Sequence, residues 1–126
     1  MRLTGALVDE RGTTSVEFAL SAPLFALMIA GVMGAGLLFW AQTSLQHGVE
    51  MAARCASINK AICGQTSDIQ NYAVAQTAGL SPPASIFSVS TSACGTLVSA
   101  SYPIVTVQAL WGISPFTLTA QSCYPM

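Results

Sequence analysis

The chain has 126 residues, a net charge of −1 and only 7% charged residues, whereas soluble domains contain about 25%. This length predicts one small domain. The sequence has no cluster of Lys and Arg that could neutralise a phosphate backbone, so we expect no nucleic-acid partner. The hydrophobic fraction of 52% indicates a membrane segment followed by a small domain rich in Ser, Thr and Ala.

A short leader, residues 1–12, precedes the apolar stretch and ends in Arg11 and Gly12. Glu17 stands at the entry to that stretch. A carboxylate at the bilayer centre is unfavourable by about 2.5–3.5 kcal/mol, and by less near the interface, so Glu17 is expected to have a partner. Cleavage after Gly12 would give Thr13 a free amine four residues before Glu17, the spacing at which opposite charges meet on a helix.

The stretch from Phe18 to Ala41 contains no Asp, Glu, Lys or Arg. As a helix it is about 35 Å long, enough to cross a hydrocarbon core of about 30 Å. Trp40 falls where an interfacial aromatic residue is expected. The sequence therefore predicts a single membrane span over about residues 18–41. Lys and Arg are nearly balanced across it, so orientation depends on other features.

Small residues recur within the predicted span. Ala30 with Gly34, and Gly31 with Ala35, are small residues four apart, a spacing that lets membrane helices approach closely. The pattern fits packing against other membrane helices. It equally fits the ordinary abundance of small residues in such helices.

The helical pattern continues beyond the span, to about residue 60. Leu45, Val49, Ala52, Ala53 and Ala56 form an apolar stripe, which is typical of a helix packed on one side. Gly48 is the one residue that could break this helix. Ser67 with Gln70 resembles a capping box, which predicts a short second helix that ends at Gly79.

After Pro82 and Pro83 the apolar residues alternate, which predicts strands over residues 86–91, 97–102 and 116–124, the second extended through 104–107. Pro103 predicts an edge or a break. The predicted fold class is α+β. A long helix, residues 13–60, carries a short helix and an antiparallel sheet of about three strands, and residues 61–126 form the external domain.

Four cysteines follow the span, namely Cys55, Cys63, Cys94 and Cys123. An even number in a small exported domain predicts disulfides in an oxidising compartment. Zinc is the alternative, but the spacings lack a Cys-x-x-Cys or Cys/His cluster, so no metal and no other cofactor is expected. Proximity along the chain favours Cys55–Cys63, and adjacent strands favour Cys94–Cys123.

No catalytic residue is predicted, so we do not expect an enzyme. His47 and Glu50 lie one helical turn apart, but no serine or cysteine motif completes a nucleophile–base set. Trp111 and Phe116 are the best candidates for contact with a partner, since aromatic side chains anchor interfaces. They could instead cover the small core or touch the membrane surface.

The order of Arg11, Gly12 and Glu17 before an apolar helix is the processing signature of type IV pilin-like proteins. Residues 12–56, with Glu50-Met51-Ala52-Ala53-Arg54-Cys55-Ala56, closely resemble the TadE-like family of minor pseudopilins of the tight-adherence (Tad, Flp-type) pilus secretion machinery. The tail over residues 117–125 is similar to this family as well.

The resemblance implies a substrate of prepilin peptidase that is cut between Gly12 and Thr13. It also implies contacts with other pilin-like subunits, with the pilus assembly platform and with membrane lipid. The expected location is the bacterial inner membrane, with a cytoplasmic N-terminus and a periplasmic or extracellular C-terminal domain.

Two other readings stay open for the N-terminal region. A secretory signal peptide would be cut near Leu37 and would leave Glu17 unexplained. An uncleaved anchor would keep Gly12 intact. In either case the chain would be a membrane-anchored or secreted small binding module that uses its disulfide-linked sheet for recognition.

Overall fold

The computed structural model describes the backbone of residues 11–104 and 116–125, and within them the side chains from Thr14 onward. The described residues form helix α1 (Arg11–Ile58), helix α2 (Thr66–Gln76) and strands β1 (Phe87–Ser92), β2 (Gly95–Ile104) and β3 (Phe116–Tyr124). A 3-10 turn over Ala84–Ile86 leads into β1. The predicted α+β fold class, with a long N-terminal helix and a three-stranded antiparallel sheet, is confirmed.

The chain divides into two compact units, Met1–Leu37 and Leu38–Met126. The described part of the first unit is helical, and its large apolar side chains, including Leu20, Leu24, Phe25 and Leu27, are exposed. A contiguous apolar surface of this kind is not sustained in water. The helical stretch Thr14–Ile58 is long and apolar enough to cross a membrane, which supports a single-pass membrane protein.

The core of the second unit lies along the predicted stripe of α1. Leu45, Val49, Ala52 and Ala53 are completely buried, and Ala56 is nearly so. Small residues on this stripe leave room for close neighbours, and Phe87 and Val98 of the sheet fill the space. Gly48 does not break the helix, because α1 continues to Ile58.

The sheet has the order β1-β2-β3, and both pairs are antiparallel. Ala100 in the central strand pairs with Phe87 on one side and with Ala120 on the other. These three residues are buried, whereas the neighbouring row of Ser88, Ser99 and Gln121 lies on the opposite face. The Ser/Thr-rich face is therefore the more exposed one.

Pro103 lies within β2 and does not interrupt it, since the pairing with β3 continues to Ile104. The pairing of β2 with β1 ends at Ala100. Among the described strands, β2 has a neighbour on one side only from Ser101 onward, and a residue without an N–H is tolerated at such an edge. The predicted extension over 105–107 lies outside the described residues.

Helix α2 begins without the predicted capping box. Its N-cap is Gln65, which makes no side-chain capping bond, and Ser67 lies inside the helix. Gln70 instead donates a hydrogen bond from Nε2 to the carbonyl oxygen of Phe87, 2.6 Å away. The helix ends at Gln76, three residues before Gly79, which adopts a positive φ of 75°.

Two disulfides join Cys55 to Cys63 and Cys94 to Cys123, the same pairs that spacing and strand adjacency favour. Their Cα atoms are 5.8 and 6.2 Å apart, within the usual range for a bridge. The first closes the turn after α1, and the second joins the β1–β2 hairpin turn to the last strand.

Candidate functional site

Gly12 and Thr13 lie in the first turn of α1. Glycine within a helix is about 1 kcal/mol less favourable than alanine, so Gly12 lowers the free-energy cost of unwinding the helix locally at the bond between the two residues. That this bond is cleaved stays a prediction.

Glu17 is an exposed carboxylate on an apolar helix surface. Its neighbours Val16 and Phe18 are 61% and 72% exposed, so no folded layer covers this part of the helix. No Lys or Arg occurs between Thr14 and Leu37, so none of the side chains described in this unit offers a cation to Glu17. A free amine on Thr13 would lie one helical turn away and supply that charge.

The four predicted packing residues, Ala30, Gly31, Gly34 and Ala35, are all exposed on α1. A Cβ atom added at Gly31 or Gly34 would meet nothing within 4 Å. The surface beside these residues is therefore open within one chain. Whether other helices use it stays a prediction.

His47 and Glu50 are both exposed on α1. Glu50 accepts a hydrogen bond from Gln46, with 3.3 Å between Nε2 and Oε1. Over residues 11–104 and 116–125, no group of three or more His, Cys, Asp or Glu could hold a metal ion, and all four cysteines form disulfides. Trp111 lies outside the described residues, while Phe116 is 53% exposed at the start of β3.

Trp40 has a neighbour that its sequence position does not reveal. Its ring atom Cζ2 lies 3.3 Å from the point where a Cβ of Gly79 would be. The indole is 47% exposed, so the rest of the ring remains available to an interface, as its position in the sequence predicts.

Sequence reasoning also missed the contacts between α1 and the edge of the sheet. Gln42 donates from Nε2 to the carbonyl oxygen of Thr119 at 2.9 Å, and Gln46 does the same to Gln121 at 3.3 Å. The only hint of these contacts in the sequence is a pair of glutamines four residues apart beside the apolar stripe. Only the fold shows that a strand edge lies opposite them.

Residues 12–54 match the family model described as TadE-like protein. The match covers about one third of the chain. It starts at the glycine of the predicted cleavage site, includes Glu17, and stops before the first cysteine. No curated protein and no solved structure matches the chain. The resemblance to the TadE-like family is thus confirmed over residues 12–54 of α1, and for the tail it stays a prediction.

Proposed function

We propose that this chain, whose long helix carries the TadE-like pattern, is a minor pilin-like subunit used to assemble a tight-adherence pilus. The family match over residues 12–54 supports association with such a pilus. The observation that carries the finer proposal is Glu17. It is a lone carboxylate on an exposed apolar helix, four residues after the residue that prepilin peptidase would make the N-terminus.

Cleavage after Gly12 creates the positive charge that Glu17 lacks. The ammonium group of Thr13 pairs with Glu17 of the same helix or of a neighbouring one. In the second case two parallel helices are offset by four residues, which is about 6 Å along the axis. The ion pair then lowers the net charge placed in lipid and fixes the register between subunits.

The chain acts in this proposal as the substrate of prepilin peptidase and as a structural component, not as an enzyme. The apolar part of α1 lies in the bacterial inner membrane, with the leader in the cytoplasm. The disulfide-linked domain lies on the periplasmic side, where disulfides persist. Other pilin-like subunits, the assembly platform and lipid are the partners.

N-terminal sequencing of the mature chain from its native membrane tests the proposal directly. Thr13 as the first residue is expected. A terminus near Leu37 would indicate signal peptidase, and an intact Met1 would indicate an uncleaved anchor. Either of those results favours the alternative function, a small membrane-anchored or secreted binding module.

Substitution of Glu17 separates the role of charge from that of size. Glu17→Gln keeps the side-chain volume and removes the charge, so we expect normal insertion and cleavage but a loss of pili of at least tenfold. Glu17→Asp keeps the charge with a shorter reach and should retain part of the assembly. Normal piliation of the Gln variant, counted by electron microscopy, would contradict the proposed pairing.

A further inference from the structure

The two disulfides differ in how far solvent reaches them. Cys63 is 2% exposed and belongs to the core of the second unit, and its partner Cys55 is half-buried. Cys94 is exposed in the turn between β1 and β2, and its partner Cys123 is half-buried near the end of β3. Thiol–disulfide exchange requires a thiolate to reach a disulfide sulfur. The Cys94–Cys123 bridge is therefore the more accessible one.

A hydroxyl group lies beside both sulfur atoms of the accessible bridge. Oγ of Ser92 is 2.8 Å from Sγ of Cys94 and 3.6 Å from Sγ of Cys123. A disulfide sulfur carries no hydrogen, so the hydroxyl is the donor in both contacts. A hydrogen bond to a thiolate is stronger than one to a neutral sulfur, because the acceptor is charged. Ser92 can therefore stabilise either sulfur when it leaves as a thiolate.

The sheet holds the two cysteines close together independently of the bond between them. Cys123 pairs with Leu97 in the ladder of β2 and β3, and Ser92 pairs with Gly95 across the hairpin turn. Gly95 has a positive φ of 122°, and a Cβ atom there would collide with the carbonyl oxygen of Tyr124. The turn thus lies against the backbone of β3. None of these contacts uses sulfur, so we expect the two thiols to remain neighbours after reduction.

The end of β3 is also attached to α1 without the bridge. Gln46 donates to the carbonyl oxygen of Gln121, and the hydroxyl of Ser57 donates to the carbonyl oxygen of Pro125 at 2.7 Å. These bonds lie on either side of Cys123 in the chain. Opening of the bridge therefore leaves β3 attached both to β2 and to α1, and it does not require the domain to unfold.

We propose that the Cys94–Cys123 bridge is a thiol–disulfide exchange site that a dithiol reductant opens in the folded protein, with the hydroxyl of Ser92 stabilising the thiolate that leaves. The Cys55–Cys63 bridge stays closed under the same conditions, because Cys63 lies in the core. This inference concerns only the second unit and does not depend on the pilin-like function.

The exchange takes place in two steps. One sulfur of the dithiol, as a thiolate, attacks Sγ of the exposed Cys94, the bridge breaks, and Cys123 leaves as a thiolate within reach of Ser92. The second sulfur of the dithiol then attacks the first, which releases Cys94 as a thiolate and leaves the reductant as a disulfide. Two electrons pass from the dithiol to the bridge, and its two thiol protons reach the two cysteines through water.

Reduction of the full chain in detergent micelles under native conditions tests the proposal. Dithiothreitol is the probe, and the free thiols are alkylated at timed intervals and located by mass spectrometry. We expect Cys94 and Cys123 to be labelled together, about tenfold or more faster than Cys55 and Cys63. Amide exchange at the buried Ala73 of α2 should stay slow, because the domain remains folded. A second arm uses reduced thioredoxin: selective opening by both probes indicates a protein dithiol as the reductant, and by dithiothreitol alone a small thiol.

Variants of Ser92 test the role of its hydroxyl. Ser92→Ala should slow the opening of the accessible bridge about threefold or more, since the leaving thiolate loses a charge-assisted hydrogen bond. Ser92→Thr keeps the hydroxyl and should restore the rate. Ser90→Ala is the matched control, because Ser90 is exposed two residues earlier on the same face of β1 and, within the described part of the chain, forms no hydrogen bond with either sulfur.

Three results would overturn the inference. The first is an equal rate of labelling for the two bridges. The second is labelling that appears only together with fast exchange at Ala73, which would mean that the domain unfolds before it is reduced. The third is an equal rate in Ser92→Ala and Ser90→Ala, which would show that the hydroxyl does not stabilise the leaving thiolate.

Discussion

Gly48 shows how a residue that weakens an isolated helix is required by the folded domain. The sequence suggests a helix break at this position, but the residue lies buried inside α1. A Cβ there would lie 2.7 Å from Cγ2 of Thr77 and 3.0 Å from the carbonyl oxygen of Ala73. The glycine thus permits the end of α2 to approach the backbone of α1.

The first prediction concerns this contact. Gly48→Ala gains about 1 kcal/mol of helix propensity, but overpacking against Thr77 and Ala73 destabilises by about 1–3 kcal/mol. We expect a net decrease in the melting temperature of the domain, measured by near-UV circular dichroism in detergent micelles. Gly36→Ala is the control, because a Cβ at Gly36 meets nothing within 4 Å. An increase in the melting temperature with Gly48→Ala would contradict the proposed contact.

Gln70 illustrates what a local pattern cannot predict. Its spacing from Ser67 fits a capping box, yet its amide bonds to Phe87, 17 residues later. A capping bond would use Oε1 of Gln70 as an acceptor for a backbone N–H, whereas the observed bond uses Nε2 as a donor. The sequence does not show which partner lies near. The core stripe from Leu45 to Ala56 was predictable, because it depends only on helical period and apolar character.

At the scale of elements, α1 can follow the edge of β3 because four residues of a helix and two residues of a strand advance by nearly the same distance. Four helical residues rise about 6 Å, and two strand residues rise about 6.7 Å. Side chains at Gln42 and Gln46 can therefore meet successive outward carbonyl groups of β3. The bounds of both elements could be predicted from their separate periods, but their alignment depends on tertiary packing.

Removal of these two amides should weaken the attachment of β3. Gln42→Met with Gln46→Met keeps the aliphatic stems and loses the two hydrogen bonds to β3, each worth about 0.5–1.5 kcal/mol, together with the exposed bond from Gln46 to Glu50. We expect a decrease of about 1–3 kcal/mol in the free energy of unfolding, and faster amide exchange across β3 than across β1. Thr43→Val serves as control, since the Thr43 hydroxyl bonds within its own helix, to Phe39. Equal effects of the control and the double variant would reject this role.

The small residues of the apolar helix lead to a prediction about assembly. A Cβ at Gly34 would meet nothing within 4 Å, so leucine there would extend into the open space beside Ala30. Gly34→Leu should leave insertion and domain stability unchanged and reduce pili at least tenfold, if close helix contact is used there. Gly36→Leu places the same volume about 200° around the helix. Equal loss with both variants, or none with Gly34→Leu, would count against a specific packing face.

The whole molecule combines two parts that are stabilised in different ways. The apolar helix needs lipid or neighbouring helices to cover its side chains, which its uncharged length made predictable. The second unit, Leu38–Met126, is too small to rely on its core alone, so the cysteines predict covalent links. The second pairing could be inferred because Cys94 directly precedes β2 and Cys123 lies in β3, and the sequence predicts that these strands are adjacent. The contacts of Trp111 could not be inferred from the sequence, and Trp111 lies outside the described residues.

The two disulfides should contribute unequally. Cys55 and Cys63 are 8 residues apart and Cys94 and Cys123 are 29 apart. In the loop-entropy model the first restricts the unfolded chain by about 2.5 kcal/mol and the second by about 3.6 kcal/mol. Paired substitution by serine should therefore lower the free energy of unfolding more for Cys94–Cys123. Urea unfolding of the full chain in detergent micelles measures both variants against the parent.

The Cys94–Cys123 bridge also ties the end of β3 to the hairpin that begins at β1, so its loss should increase amide exchange in β2 and β3. Loss of Cys55–Cys63 should affect mainly the turn after α1. The opposite order of stabilities would show that local contacts, not chain entropy, determine what each bridge contributes.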